Sequence, residues 1–473
     1  MKALKRRTFL KGIGLAVGTM TLSGVLRGPA ILAQPPVVTI GTLLDSTGPL
    51  AEFGPAERKG ADLAAKHLND AAKEVLGGPI IKLVHEDPGF PNFAQVVDRA
   101  KKLVTVDKAV GLVGGLASSA SLAIAREVSK PFKVPQISPA STSPLLTVEP
   151  DDDFLFRTTA SDALQGVVLA MLAAGEIKEA PVKFKTAATL YVNNPYGQGL
   201  SNRFAKSFEK RGGKVLAEVP HAEEVQPSYD AELRKALEGK PEVLVAISYP
   251  GHANVYLKEA VEKFKFKSFL FVDGTKSADM IKALGFDILQ GFYGTVAAAD
   301  PEDPNAKKFE EEFKKAYGAI PPIPYIDTTY DAVAALGLAA AASFVGEQPI
   351  AGEQIRNALR GVTGFTPDIR AEVLKQVQPD EEVKFGVAGF STALEALLRG
   401  KQRRRPGLII SLFGSRITIW IPLGLFLDYE GAGSSVDFDV AGDVKTPIEI
   451  WQYNKDAPGG IKTITLVKNI PEE

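Results

Sequence analysis

Two short stretches gather hydroxyls where few other side chains compete, Val113–Ser121 (VGGLASSAS) and Ile137–Pro144 (ISPASTSP). Each follows an apolar run that reads as a buried strand. In open α/β sheets ligands bind beyond the carboxyl ends of the strands, where helix N-termini present free backbone N–H groups that favour an anion. Gly114 and Gly115 let the backbone come close. Ser118 and Ser119 bring hydroxyls and N–H groups to the start of a helix, and Ser141 and Thr142 add more from the next loop. Together they could hold a carboxylate with no charged side chain, each hydrogen bond to the charged group contributing about 1.5–3 kcal/mol. Ser and Thr also do plain capping and turn chemistry in such places, and the residues alone leave both uses open.

A second set stands at the ends of three later strands. YVNNPYGQGL carries Tyr196, AISYPGHA carries Tyr249, and FVDGTKS carries Asp273 and Thr275. Aromatic rings and one acid suit an apolar side chain and an ammonium group. Singly, a loop Tyr is ordinary packing and an Asp before Gly an ordinary turn. Three at successive strand ends favour a site.

The elements that must position these residues follow from periodicity. Val37–Leu44 is a short apolar run fit for a buried strand. Ala61, Ala64, Ala65 and Leu68 recur at helical spacing. Ile80–His85 reads as strand, Phe93 to Val104 as helix, Ala109–Val113 as strand, Leu122–Val128 as helix and Val134–Ile137 as strand. This alternation predicts a parallel sheet covered on both faces. The rhythm restarts with strands at Thr186–Val192, Val215–Val219, Val243–Ser248 and Phe269–Val272, separated by helical stripes. A proline-rich patch, Ala319–Pro324, then precedes an Ala-rich helix over Thr328–Ser343.

A chain of 473 residues is long for one core, so two lobes or domains are expected. Residues 1–33 hold six cations and no acid. Without them the formal net charge goes from −1 to −7, which argues against nucleic acid as a partner. No cysteine is present, so disulfides and thiolate chemistry are excluded. His67, His85, His221 and His252 show no metal-ligand spacing, and no G-x-S-x-G elbow, P-loop or dinucleotide fingerprint occurs. Glu86-Asp87 is the remaining candidate for acid–base work, and adjacent carboxylates at a strand end are ordinarily solvated. Neither catalysis nor a cofactor is expected.

The N-terminus reads as an address. Paired Arg6-Arg7 before Phe9, Leu10 and Lys11, then a Gly-softened apolar stretch, matches a twin-arginine export signal over residues 1–33, with Ile31-Leu32-Ala33 as a cleavage site. A retained membrane anchor is the alternative. A second apolar stretch, Leu408–Leu427, follows Arg403–Arg405, is broken by Arg416 and a few small residues, and is about long enough to span a bilayer; it reads as a spanning helix, as an ordinary buried segment, or as a piece that does not belong to the mature protein.

Taken in order, TIGTLLDSTGPLAEFGPAERKGADLAAKHLN, GLVGGLASSASLAIA, VPQISPASTSPLLT, LYVNNPYGQGLSNRF, FVDGTKS and DYEGAGSSVDFDVAGDVKTPIEIWQY resemble the periplasmic substrate-binding proteins of ABC transporters, of the branched-chain (Leu/Ile/Val) amino acid type. The resemblance runs over nearly all of residues 37–453. It implies an α/β, two-lobed type I periplasmic-binding-protein fold, each lobe a mostly parallel sheet flanked by helices, with three crossing hinge segments and the ligand between the lobes. The implied division is 37–157 for the first part of lobe 1, 158–292 for lobe 2, 293–434 for the second part of lobe 1, and 435–473 for the return to lobe 2 and a tail. By position, Ser118 with the backbone of Leu116 and Ala117 resembles the loop that binds the ligand carboxylate, and Ser141 would add a donor. Ala140 and Thr142 resemble the pair that takes the amino group. Phe53 resembles the aromatic that covers the ligand, and Tyr196 and Tyr249 the tyrosines that close over it. The family's acidic amine partner falls in FVDGTKS, close to Thr275, with Asp273 two residues earlier. EALLRGK and LDYEGAGSSVDFD are near neighbours in the usual pattern, so residues 402–426 look inserted, as an irregularity or a surface-lying excursion rather than a membrane span.

The expectation is thus a periplasmic protein, soluble after signal cleavage, that captures a small amino acid or related amide or carboxylate and delivers it to an ABC permease. A ligand sensor of the same fold is the alternative, and an enzyme acting on a small carboxylate a more distant one. Replacing Arg6-Arg7 with Lys-Lys should leave the precursor in the cytoplasm. Mature protein at normal levels in the periplasm, measured by fractionation and immunoblot, would show the export reading to be wrong.

Overall fold

Short runs buried on both faces become the inner strands. Val243–Ile247 is buried at every position, and Val38–Leu43 at all but its first. Such runs can only be satisfied inside a sheet covered on both sides. In the computed structural model, residues 34–414 and 416–473 are described. The expected export signal over residues 1–33 lies outside the described residues.

The first sheet holds β1 (Val38–Leu43), β2 (Ile81–Glu86), β3 (Ala109–Gly114), β4 (Gln136–Ser138) and β5 (Leu155–Arg157). They run parallel in the order β2-β1-β3-β4-β5. The second sheet begins with β6 (Thr186–Val192), β7 (Lys214–His221), β8 (Val243–Ile247), β9 (Phe269–Phe271) and β10 (Tyr293–Ala297), also parallel. The chain then builds β11 (Glu381–Gly386), β12 (Leu408–Leu412), β13 (Ile417–Ile421) and β14 (Leu425–Glu430) outside both large sheets. It returns as β15 (Ile448–Tyr453) and β16 (Ile461–Val467), which extend the second sheet antiparallel to the order β16-β15-β10-β9-β8-β6-β7. The chain passes between the two lobes three times, after β5, after β10 and between β14 and β15. This is the two-lobed α/β architecture expected.

Two boundaries differ from expectation. The switch after residue 292 comes later, because Tyr293–Ala297 pairs with β9 and β15. Thr295 and Val296 face opposite sides of that sheet and both are buried. The return to the second sheet is made at Ile448, not at 435. Residues just after 435 stay with the first lobe: the Phe438 ring meets Phe156 edge-on at 5.0 Å, and Arg360 donates to the Asp439 carbonyl at 2.7 Å.

The helices Gly54–Leu76 and Ile326–Val345 pack side by side in the first lobe. Their Gly and Ala content is what lets them approach. A Cβ on Gly337 would lie 2.2 Å from Leu68 Cδ2. Ile326–Val345 is the one helix among the described residues long and apolar enough to cross a membrane, and 94% of its apolar window is buried in the fold. Its Asp331 carboxylate accepts from Tyr429 Oη at 2.9 Å and from the Ala432 and Gly433 amides at 2.7 Å, tying down the start of the third crossing.

The 402–426 stretch is neither a membrane-spanning helix nor a surface-lying excursion. Most of it forms an antiparallel hairpin, β12 against β13, with Leu408 opposite Ile421, Ile410 opposite Ile419 and Leu412 opposite Ile417. The two strands satisfy each other's backbone, so the segment needs no place in either large sheet. One face is buried: Ile410, Leu412, Ile417, Ile419 and Ile421 pack on Phe365, Ile369, Val373 and Phe426. The opposite face leaves Ile409 63% exposed. Ile419→Ala should therefore lower stability by about 2–5 kcal/mol, while Ile409→Ala should change it by less than about 0.5 kcal/mol. Equal effects in chemical denaturation would contradict a packed hairpin.

Candidate ligand-binding site between the lobes

The ends of β3 and β4 bring the two hydroxyl-rich loops together. Ser138 Oγ donates to the Gly115 carbonyl at 2.8 Å and accepts from the Ser141 amide at 3.0 Å. Ser121 and Ser141 hydroxyls meet at 2.8 Å, and Ser141 Oγ also reaches the carbonyls of Gly115 and Leu116. Buried Arg157 donates to the Ser143 carbonyl at 3.0 Å and pairs with Asp443, which anchors the second loop from behind. Most of these hydroxyls therefore stitch loop to loop. Ser118 joins the loops as well. Its hydroxyl accepts one amide, from Ser143 at 3.2 Å, and it lines the cavity between the lobes.

That cavity is lined by Leu50, Phe53, Glu57, Leu116, Ser118, Ala140, Tyr196, Tyr249, Asp273, Gly274 and Tyr325. Phe53, Leu116, Ser118, Ala140, Tyr196, Tyr249 and Asp273 are thus gathered from six separate stretches of sequence. Ala117 is buried beside the lining but outside it. Ser141 also stays outside, because its hydroxyl and amide are both spent within the loops. Thr142 lies behind the wall, its hydroxyl buried without a well-formed hydrogen bond. Thr275 does not reach the cavity either. Its hydroxyl closes a turn, accepting from the Val272 amide at 2.9 Å and donating to the Val272 carbonyl at 3.0 Å. Of the two, Asp273 is the one that reaches the cavity.

Asp273 is the hub of the far wall. Oδ1 accepts from Tyr196 Oη and Gln165 Nε2, both at 2.8 Å, and Oδ2 accepts from Tyr325 Oη at 2.7 Å. Each partner comes from a different element. Tyr196 is in the first turn of Pro195–Lys210, whose N-cap Asn194 accepts the Gly197 amide and donates to Tyr249 Oη at 3.2 Å. Gln165 is on Asp162–Ala174. Tyr325 is the N-cap of Ile326–Val345, held at φ 74°. Gly274 is needed because a Cβ there would lie 2.5 Å from the Ser248 carbonyl. The Tyr196 and Tyr249 rings stack at 5.7 Å, and Phe90 meets Tyr249 edge-on at 6.1 Å.

Electrostatically the site is acidic and dry. Burial raises the Asp273 carboxyl, and the Tyr325, Tyr196 and Gln165 donors oppose that rise. Asp162 is pushed well above the usual carboxylate range, first by burial and then by the Asp273 charge. Neither Asp162 oxygen has a well-formed hydrogen bond, the Thr142 hydroxyl lying beside them, so of the two acids Asp273, with three donors, is the better placed to carry charge. Burial also raises Glu57 well above its ordinary value and Asp45 to about 8. The lining holds no basic side chain. Among the described residues no three His, Asp or Glu side chains converge as a metal-binding group.

Leu50, Glu57, Gly274 and Tyr325 escaped the sequence reading. Glu57 left a usable signal: with Ala61, Ala64 and Leu68 it falls on the buried face of its helix, where a carboxyl is out of place. Tyr325 left none, because its role depends on meeting Asp273 from 52 residues away.

Two lobes with parallel sheets, joined by three crossings around one shared cavity, define a type I periplasmic binding protein. Residues 37–382 match the family model for periplasmic binding proteins, and the chain belongs to that family. It is 27% identical over 321 residues to a leucine-, isoleucine-, valine-, threonine- and alanine-binding protein of Pseudomonas aeruginosa, covering 68% of this chain and 81% of that one. Among solved structures, the leucine-binding protein LivK of Thermotoga maritima superposes with a TM-score of 0.67 at 22% identity, covering 91% of this chain and 99% of that one. An ABC-transporter solute-binding protein of R. palustris, in complex with 4-hydroxybenzoate, gives 0.62 at 16% identity, covering 92% and 98%.

The lobes are clasped beside the cavity. The Glu52 carboxylate, next to Phe53, accepts from Ser277 Oγ, from the Ala278 amide at 2.8 Å and from the Asp279 amide at 3.1 Å. Ser119 Oγ donates to Glu223 at 2.9 Å, and Ser143 Oγ to the Pro195 carbonyl at 2.8 Å. Charged hydrogen bonds of this kind contribute about 1.5–3 kcal/mol each. Glu52→Ala removes three of them. Small-angle scattering should then show a larger radius of gyration than wild type at equal ligand concentration. An unchanged radius would mean that the clasp does not hold the lobes together.

Proposed function

We propose that this protein is an extracytoplasmic solute-binding protein that captures a small amino acid, or a related amide or carboxylate, between its lobes and delivers it to an ABC permease. The observation that carries the reading is the pairing of Ser118 on one wall of the cavity with Asp273 and its tyrosines on the other. A carboxylate would sit against the Ser118 hydroxyl and the Leu116–Ala117 backbone. An ammonium group would sit between Asp273 and the Ala140 carbonyl, with Thr142 behind it. Leu50, Phe53 and the Tyr249 ring would enclose the side chain. The relatives' range of ligands, from aliphatic amino acids to 4-hydroxybenzoate, supports a small carboxylate as the common element. Binding is the whole task in this reading, with no catalytic step. The Arg6-Arg7 signal would bring the protein to the periplasm, where it works after cleavage.

Closure would be the working step. Ligand held by Ser118 on the first lobe gains contacts from Tyr196, Tyr249 and Asp273 only when the second lobe meets it, so ligand shifts the population toward the closed form.

A thermal-shift screen of amino acids and small amides identifies the ligand, since at 100 times Kd a ligand of the folded state adds about 2.7 kcal/mol. With that ligand, Ser118→Ala should weaken binding by about 1–3 kcal/mol in calorimetry. Tyr196→Phe, which deprives Asp273 of a donor, should weaken it by a similar amount and mainly speed release. Wild type should compact on binding, measured by scattering. Unchanged affinity in both variants, or no compaction, would overturn the reading.

A further inference from the structure

The β12–β13 hairpin is the feature of the sequence that ligand capture leaves unused. Between Ala396 and Leu427 the chain holds six cations and no acid, within a body whose net charge over residues 34–473 is −7. The structure sets three apolar side chains among those cations. Leu408, Ile409 and Phe413 are 42%, 63% and 38% exposed. They are three of the eleven large apolar side chains exposed among the described residues, and they fall within six positions. Single exposed apolar side chains are ordinary, whereas a cluster of them rimmed by charge marks a contact surface.

The local geometry turns this patch outward. Ile410, Leu412, Ile417 and Ile419 fill the inner face of the hairpin, so by alternation Ile409 and Ser411 face away from it. Phe413 lies at the turn, at φ 51°. Arginines bracket the patch, Arg403–Arg405 before β12 and Arg416 after the turn, and all four are exposed. Arg403 reaches Glu381 at 3.4 Å and Arg405 reaches Asp380 at 2.8 Å, with about half of each arginine side chain still in solvent. Arg404 and Arg416 form no ion pair among the described residues. Four acids share a cleft with Arg416, and each has a partner within the fold: Glu149 has Arg126, Asp151 the Leu155 amide, Asp152 Lys130 and Asp153 Arg360.

Two occupants fit an apolar patch of this kind, a second copy of the chain and a lipid surface, and the charges decide between them. A second copy laid antiparallel on the free edge of β12 about Ile410 would set Arg404 against Arg416, like against like. An anionic lipid surface attracts all of these cations and takes the apolar side chains into the boundary between headgroups and acyl chains. Arginine stems enter that boundary while the guanidinium groups stay with the phosphates.

We propose that the outer face of β12, with its flanking arginines, is a reversible docking surface for an anionic phospholipid membrane. Three apolar side chains and a few cations give exchangeable binding, not an anchor. On the binding-protein reading above, this surface keeps the loaded protein beside the membrane that holds its permease, which raises the effective concentration of one for the other.

The test is co-sedimentation of the full mature protein with sucrose-loaded vesicles, of phosphatidylcholine alone and of phosphatidylcholine with phosphatidylglycerol. Wild type should partition onto the phosphatidylglycerol vesicles about tenfold more strongly, and added salt should release it. Arg404→Ser with Arg416→Ser, which breaks no ion pair, should lose about tenfold of that binding and most of its salt dependence. Ile409→Ser with Phe413→Ser should also weaken binding but leave its salt dependence. Both double variants should keep the wild-type melting temperature, because every substituted side chain is exposed. Equal partition onto both vesicles, partition onto neither, or variants that bind as wild type does overturns the proposal. So does a concentration-dependent dimer in sedimentation velocity that Ile409→Ser abolishes, which would assign the patch to a second copy. Ligand-induced melting shifts do not involve this face, so these failures leave the binding-protein reading intact. Vesicle binding by a protein that no small carboxylate stabilises overturns that reading alone.

Discussion

One buried carboxylate organises this molecule. Asp273 can be charged inside the protein only because Tyr196, Tyr325 and Gln165 donate to it. A buried charge without such partners would neutralise or unfold its surroundings. Those donors come from the first turn of Pro195–Lys210 in the second lobe, from the helix following the first crossing, and from the N-cap of Ile326–Val345 in the first lobe. The solvation of one acid thereby sets how the lobes and two hinge-side helices meet. Asp162 is pushed well above the ordinary carboxylate range, first by burial and then by the Asp273 charge.

Around this hub the chain uses small residues and rigid rings for different ends. Gly274 allows the hub's own backbone to lie against Ser248, and Gly337 allows the two long first-lobe helices to touch. That contact carries Phe53 and Glu57 up to Tyr325. Stacked Tyr196 and Tyr249 add about 0.5–1.5 kcal/mol beyond their buried area. They also present a flat apolar wall that loses little side-chain freedom on closing. The hydroxyl-rich loops contribute rigidity first. Ser121, Ser138 and Ser141 fasten one loop to the other, which leaves Ser118 held in place at the cavity.

The β12–β13 hairpin shows how an apolar stretch is housed outside the two large sheets. It enters next to β14, just before the third crossing, yet leaves the two large sheets undisturbed. It pairs its own strands and borrows an apolar face from Phe365, Ile369 and Val373. A helix of the same composition would have needed a bilayer or a new cavity. A hairpin needs only one flat apolar surface.

What the sequence determined by itself was the alternation of strands and helices, hence the two parallel sheets and the strand ends where residues such as Ser118, Tyr196 and Tyr249 had to gather. Periodicity and turn residues are local, and they survive in a one-dimensional reading. Ordered motifs then specified the family. β5, at three residues, was too short to show a period, and β10 was assigned to the wrong lobe because only its partners β9 and β15 define it. Alternation was also present in the 402–426 stretch, LIISL before ITIWI, but its length and apolarity hid it behind a bilayer-sized reading. The tertiary structure alone decided between Asp273 and Thr275, two residues apart in one loop. That choice turned on which side chain points into the cavity and which closes the turn. It likewise set Ser141 to stitching and brought Tyr325 and Glu57 to the site. Such roles depend on the direction of a side chain relative to a distant element, and packing between lobes fixes that direction.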